Sequence, residues 1–202
     1  TPNVILPIAI QALWNFAYMG GFIIVPQMLE TGLGFTSSHI GWLVIARPLT
    51  FSITAPLASM VTMRIGERRS GVIGAIGIIV SMLLLSSVSA GSSDIVIALG
   101  LAMSGVGFGI AGPALTGLVA NAVDDETVGV AGAMQQLLSQ MGAVLGSTVM
   151  ISIHEMTAGS TTVVRSYGLA LLAGAVTASV AAVLAAKLQS TDRSGTRSEA
   201  TA

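Results

Sequence analysis

Six apolar runs, each long enough to cross a bilayer, constrain this chain more than any other feature. They cover roughly residues 4–29, 41–63, 71–90, 95–119, 128–153 and 167–187. The hydrocarbon core of a membrane takes about 20 apolar residues in helical form. Without water to bond the backbone, only helices or closed barrels survive there, and runs of this length are helices. The breaks between them are short and polar: "ETGLGFTSSH", "RIGERRS", "GSSD", "NAVDDET" and "HEMTAGSTTVVRS". Composition agrees with that reading. Charged residues make up 8% of the 202, where a soluble protein carries about 25%, and mean hydropathy is +0.87. The sequence therefore predicts an all-α integral membrane protein. A six-helix transmembrane bundle spans 1–188, and a polar cytoplasmic tail over 189–202, free of aromatic residues, is expected to be disordered.

The same composition excludes several kinds of function. A net charge of −1 offers nothing to nucleic acid. The absence of cysteine removes disulfides, thiolate metal sites and a cysteine nucleophile. His39 and His154 are too far apart in sequence to suggest a metal centre, and no cofactor is expected. His154–Glu155 is the only neighbouring histidine and acid, placed at a loop edge with no visible third partner, so an enzyme is not expected. Nor does any span carry the acidic ring or filter-like loop of a channel. No basic n-region precedes the first run, so no signal peptide is visible.

Basic residues set the expected orientation. Arg64, Arg68 and Arg69 share one loop, and Lys187, Arg193 and Arg197 lie at the C-terminal end; only Arg165 falls on the opposite side. Both termini are thus expected in the cytoplasm, with the chain in the plasma membrane and lipid as its surroundings. Asp124, Asp125 and Glu126 precede the fifth run, where acids favour the positive end of a helix dipole. Gly105 with Gly109, and Gly142 with Gly146, are spaced for close helix approach, as is the ladder Ala170, Gly174, Ala178, Ala182 and Ala186.

Polar groups inside the spans need a partner, water or a ligand. Gln11, Asn15, Tyr18 and Phe22 recur at i, i+4, i+7 and i+11, within a sector of about 60° on a helix turning about 100° per residue. That stripe suits a water-filled cavity or a ligand surface; equally, Gln11 and Asn15 would serve as bonds to a neighbouring helix. In the fifth run Gln136 and Gln140 share a face with Ser147, open to the same two readings, while Gln135 points elsewhere, toward Ser139. Arg47 is the seventh residue of a run starting at Gly41, about 9 Å in at about 1.5 Å per residue. It either faces the protein interior or a wet cavity, or snorkels to the outer headgroups. Thr50, Phe51 and Thr54 share its face, and Pro48 and Pro56 free carbonyls one turn earlier.

The loop "MRIGERRSG" resembles the basic loop of the major facilitator superfamily, with Arg64, Gly66, Arg68 and Arg69 in matching places. Ser59 and Met63 stand where that pattern has glycine and aspartate, as in the degenerate second copy of such transporters. The stretch "LAMSGVGFGIAGPALTG" is similar to the glycine-rich fourth helix of the C-terminal half of drug:H⁺ antiporters with 12 or 14 spans, through Gly105, Gly107, Gly109 and Pro113. In the N-terminal half of that family the equivalent helix carries an arginine and a glutamine ahead of the glycines, and here Leu101 and Ser104 stand in those places. In "GAMQQLLSQMGAVLGS" Gln140 matches a glutamine and Ser139 replaces an arginine.

This resemblance implies a fold that is one half of a transporter, a 3+3 inverted repeat. It also implies an N-terminal part of six or eight helices outside this chain, and proton-coupled export of small hydrophobic or cationic molecules by alternating access. Its cavity would be lined by the first and fourth spans, and Arg64, Gly66, Arg68 and Arg69 would form a cytoplasmic gating loop. Coupling chemistry would then lie in the other half. The alternative is a truncated, non-transporting module that binds a partner or lipid.

Overall fold

The computed structural model describes residues 2–124 and 126–187; Asp125 and the expected tail over 189–202 lie outside the described residues. Among the described residues seven α-helices run in order: α1 Pro2–Gln27, α2 Ser37–Val44, α3 Ala46–Ile65, α4 Glu67–Ser86, α5 Asp94–Asn121, α6 Val128–Ala158 and α7 Val163–Ala186. Among the described residues there is no strand. Among those residues six stretches are long and apolar enough to span a membrane, with α2 and α3 together making the second.

Local chemistry explains where the helices begin and break. A π-helical turn at Met28–Gly32 extends α1, two residues beyond Pro26, whose ring cannot continue the regular ladder. The second span starts earlier than the sequence predicts, at Ser37, because the Thr36 hydroxyl caps it by accepting from the His39 N–H at 3.4 Å. It breaks at Ile45, since Pro48 offers no N–H to the carbonyl of Val44. Gly66, at φ 87°, turns the chain from α3 into α4 in a conformation side chains disfavour. The fifth span runs on to Ala158, so His154 and Glu155 are helical rather than at a loop edge.

The spans form two layers. In front, α3 packs on α5, α5 on α1 and α1 on α6; behind them, α4 packs on α5 and α7, and α7 on α1 and α6. Exchanging the first three spans with the last three preserves these pairings, except that α7 on α6 has only a weak counterpart in α4 on α3: first with fifth becomes fourth with second, and third with fourth becomes sixth with first. This is the 3+3 repeat expressed as contacts. Trp14, Met28, Met82, Leu85, Leu101 and Met150 fill the centre, all almost fully buried.

The outer members of the front layer are the least covered. In its most apolar 18 residues the second span is only 11% buried and the fifth 22%, against 39–56% in the other four. Leu49, Ile53, Leu57 and Met60 on α3, and Met134, Leu137, Met141 and Val144 on α6, are exposed. Each helix thus leaves a continuous apolar face unpacked.

Candidate functional site

Counted from Ser37, Arg47 lies about 15 Å along its span, close to half of a hydrocarbon core about 30 Å thick. It does not snorkel. Its side chain is 1% exposed, and Nε donates to the Ser104 hydroxyl of α5 at 2.8 Å. The guanidinium carbon lies 5.1 Å from the ring centre of Tyr18 and 5.5 Å from that of Phe22, within the reach of cation–π attraction. Nη2 has no hydrogen-bond partner among the described residues.

Three helices build this cluster. Tyr18 stacks on Phe108 of α5, centroids 4.3 Å apart and planes 18° from parallel, and Phe51 of α3 lies 5.9 Å from Phe108. Below Arg47, the Thr50 hydroxyl sits 2.8 Å from the carbonyl of Ala46, 3.0 Å from that of Arg47 and 3.0 Å from that of Ala102 on α5. Its single proton bonds one of them at a time. The close approach depends on Gly105 and Gly109. A Cβ on Gly105 would collide with the Arg47 carbonyl and the Thr50 hydroxyl, and one on Gly109 would come within 3.0 Å of Thr54 Cβ. Chemically, the result is a permanent cation walled by aromatic faces, incompletely bonded and held away from lipid. Such a group is costly unless something else uses it.

Deeper along α1 the polar stripe makes different bonds. Gln11 Oε1 accepts from Nε2 of Gln135, which lies 3.5 Å from the Thr116 hydroxyl of α5. Asn15 is buried and donates back to the carbonyl of Gln11 at 3.2 Å. Tyr18 is buried and Phe22 is exposed. The four stripe residues share a side of α1 that meets α3, α5 and α6.

Gln136 and Gln140 are not brought to this cluster. They lie on the open face of α6, in a shallow apolar groove with Ala133, Leu137 and Met141. The face of α6 that α1 covers carries Gln135, Ser139, Gly142 and Gly146. A Cβ on Gly142 would strike the Ala12 carbonyl, and one on Gly146 the Phe16 carbonyl. Pro113 is exposed on α5. Arg64, Arg68 and Arg69 are exposed around Gly66, and beside them Glu67 Oε1 accepts from Asn121 Nδ2 at 2.9 Å, tying the start of α4 to the end of α5.

Sequence reasoning missed Gln135, Ser104 as the bonding partner of Arg47, and Phe108. Gln135 was within reach, because Gln135, Ser139, Gly142 and Gly146 repeat at the i, i+4, i+7, i+11 spacing of the α1 stripe. His154 does have a third partner: Nδ1 lies 2.7 Å from the Ser166 hydroxyl, and the ring stacks on Tyr167 at 3.6 Å. Tyr167 in turn reaches Thr31 at 3.1 Å, so this group fastens α6, α7 and the end of the first span together.

Comparison with known proteins places this geometry. The chain is 26% identical over 138 residues to the multidrug resistance protein Stp of Mycobacterium tuberculosis, in strains CDC 1551 / Oshkosh and ATCC 25618 / H37Rv, covering 68% of this chain and 26% of that protein. A solved chain from structural work on substrate recognition in proton dependent oligopeptide transporters superposes with a TM-score of 0.82 at 18% identity, over 94% of this chain and 42% of that one. The chain thus spans about a quarter of its curated relatives and under half of the solved structure, which shows the fold alone. The sequence profile of the Major Facilitator Superfamily matches residues 9–201. By that match over nearly its whole length, the chain belongs to the major facilitator superfamily.

Proposed function

We propose that this chain is the C-terminal six-helix half of a proton-coupled exporter of small hydrophobic molecules, seated in the plasma membrane with both termini in the cytoplasm. The open apolar faces of α3 and α6 would receive the N-terminal part, and alternating access would come from the two bundles rocking about a midplane site. In this reading Tyr18, Phe22 and Phe108 supply aromatic contact, Gln11 and Asn15 border the passage, and Arg47 is its fixed charge. Likeness to a multidrug resistance protein supports export of drug-like molecules. The observation that carries the proposal is Arg47 itself. A cation buried at mid-span, with one nitrogen unanswered, is a poor structural device and a useful functional one.

That charge also weighs on substrate class. No described Asp or Glu lies at the depth of Arg47, so cationic substrates and protons would need carboxylates from the other half. Neutral and hydrophobic substrates would not. The test is flux. Vesicles carry this chain alone, or joined to an N-terminal six-span half, and accumulate a neutral lipophilic dye under an imposed proton gradient. Gradient-dependent uptake by the joined protein only is the expected result. Equal dye movement in both, or in neither, refutes the proposal, and movement in neither leaves the non-transporting module.

A further inference from the structure

A seam on the rear layer, away from Arg47, has features of its own. At its lower end Arg68, Arg69, Val72 and Ile73 of α4 and Ala186 of α7 enclose a groove of about 560 Å³. Higher on the same helix pair, Ile79 and Leu83 of α4 face Val176, Val180 and Val183 of α7 across a second groove of about 640 Å³. On α4 Val72, Ile79 and Leu83 are spaced by seven and four residues, and on α7 Val176, Val180, Val183 and Ala186 by three or four, so the two grooves follow one face of the pair.

Length, polarity and charge each limit what fits. From Arg69 to Leu83 the helix rises about 21 Å at about 1.5 Å per residue, close to half of a bilayer about 40–45 Å thick with its headgroups. The upper groove is apolar apart from Ser179. The lower end presents two guanidinium groups, and neither Arg68 nor Arg69 has a hydrogen-bond or ion-pair partner among the described residues. Glu67, the acid next to them in sequence, is engaged by Asn121. Lys187, exposed at the end of α7, adds a third positive charge at this level.

We propose that the α4–α7 seam binds an anionic diacyl phospholipid. Arg68 and Arg69 hold its phosphate in charge-assisted bonds, and one acyl chain lies against Ile79, Leu83, Val176 and Val180. A zwitterionic lipid of the same chain length fits the upper groove but carries an ammonium group into a basic site. A free phosphate satisfies the arginines but leaves the upper groove unused. Both pieces of chemistry meet in one lipid molecule.

The experiment is native mass spectrometry of the purified 202-residue chain, titrated with phosphatidylglycerol or with phosphatidylcholine of the same acyl length. Phosphatidylglycerol is expected to remain bound at activation energies that strip phosphatidylcholine. Replacing both charges in Arg68→Gln/Arg69→Gln should weaken phosphatidylglycerol binding by about thirtyfold, from about fivefold per basic residue near an anionic headgroup. Arg64→Gln removes a charge from the same loop but not from the seam, and should change binding by less than about twofold. Val180→Trp fills the upper groove and should lower the binding of both lipids. Equal retention of the two lipids by the unaltered chain overturns the proposal. So does a loss with Arg64→Gln that matches the double variant, or unchanged binding in Val180→Trp.

Discussion

The junction of α3 with α5 and the junction of α1 with α6 are counterparts under the internal repeat, yet they solve the same problem with different chemistry. Both bring two helix backbones together across glycine pairs, Gly105 with Gly109 in one and Gly142 with Gly146 in the other. Each also carries a polar side chain across the contact. Between α1 and α6 it is a neutral amide pair, Gln135 to Gln11. Between α3 and α5 it is a full charge on Ser104, with Nη2 left unanswered. The neutral pair makes its bond without burying a charge, although the nearby Ser139 hydroxyl is buried without a partner among the described residues. The guanidinium, with a single hydroxyl partner, does bury one, and the rings of Tyr18 and Phe22 offset only part of its desolvation. Shared packing with unequal electrostatics separates the scaffold from the site.

The comparison breaks most visibly at the glycines. Gly105→Val and Gly146→Val both push a side chain into a neighbouring backbone that has no rotamer to yield, so each should cost at least about 1–3 kcal/mol. The thermal midpoint in detergent should fall for both to a similar degree. A large fall for one and none for the other would show that the two junctions are not equivalent in packing.

The amide pair sets the next scale. A double-mutant cycle with Gln11→Ala and Gln135→Ala should give a coupling of about 0.6 kcal/mol, and not more than about 1.7 kcal/mol. Chemical denaturation of the four proteins checks it. A coupling near zero would show that the bond to Gln135 adds nothing to the junction and leave Gln11 to the passage alone. The smallest effect belongs to Gln136→Ala and Gln140→Ala on the open face of α6, within about 0.5 kcal/mol in the isolated chain. A larger loss would show that this face is already packed.

Legibility in the sequence followed the length scale of each interaction. The six spans, the stripe on α1 and the glycine spacings are properties of single helices, and periodicity alone exposes them. A span starting at Gly41 puts Arg47 seven residues in, whereas the Thr36 cap within "TSSH" begins the helix four residues earlier and sets Arg47 further along it. On α6 two features of the sequence mark two different faces. Gln136 and Gln140 are polar but lie on its open apolar side, so polarity was a poorer guide there than the glycines at 142 and 146. The stacking of Tyr18 on Phe108 joins residues ninety positions apart, and nothing in either helix announces it. Ser104 stood out only as a departure from the family pattern, in the place of a glutamine. The structure brings an arginine to that place from another span.

The central claim is that Arg47 is kept for what it does and at some cost to the fold. Replacing it by methionine, of similar length and without charge, tests this when the thermal midpoint and dye export by the joined protein are measured on the same preparations. An unchanged or raised midpoint is expected, since apolar replacement of a buried charge is often neutral or stabilising by about 1–4 kcal/mol, together with loss of export. A lowered midpoint, with export falling only as far as the folded fraction falls, would make Arg47 a structural strut and contradict the account.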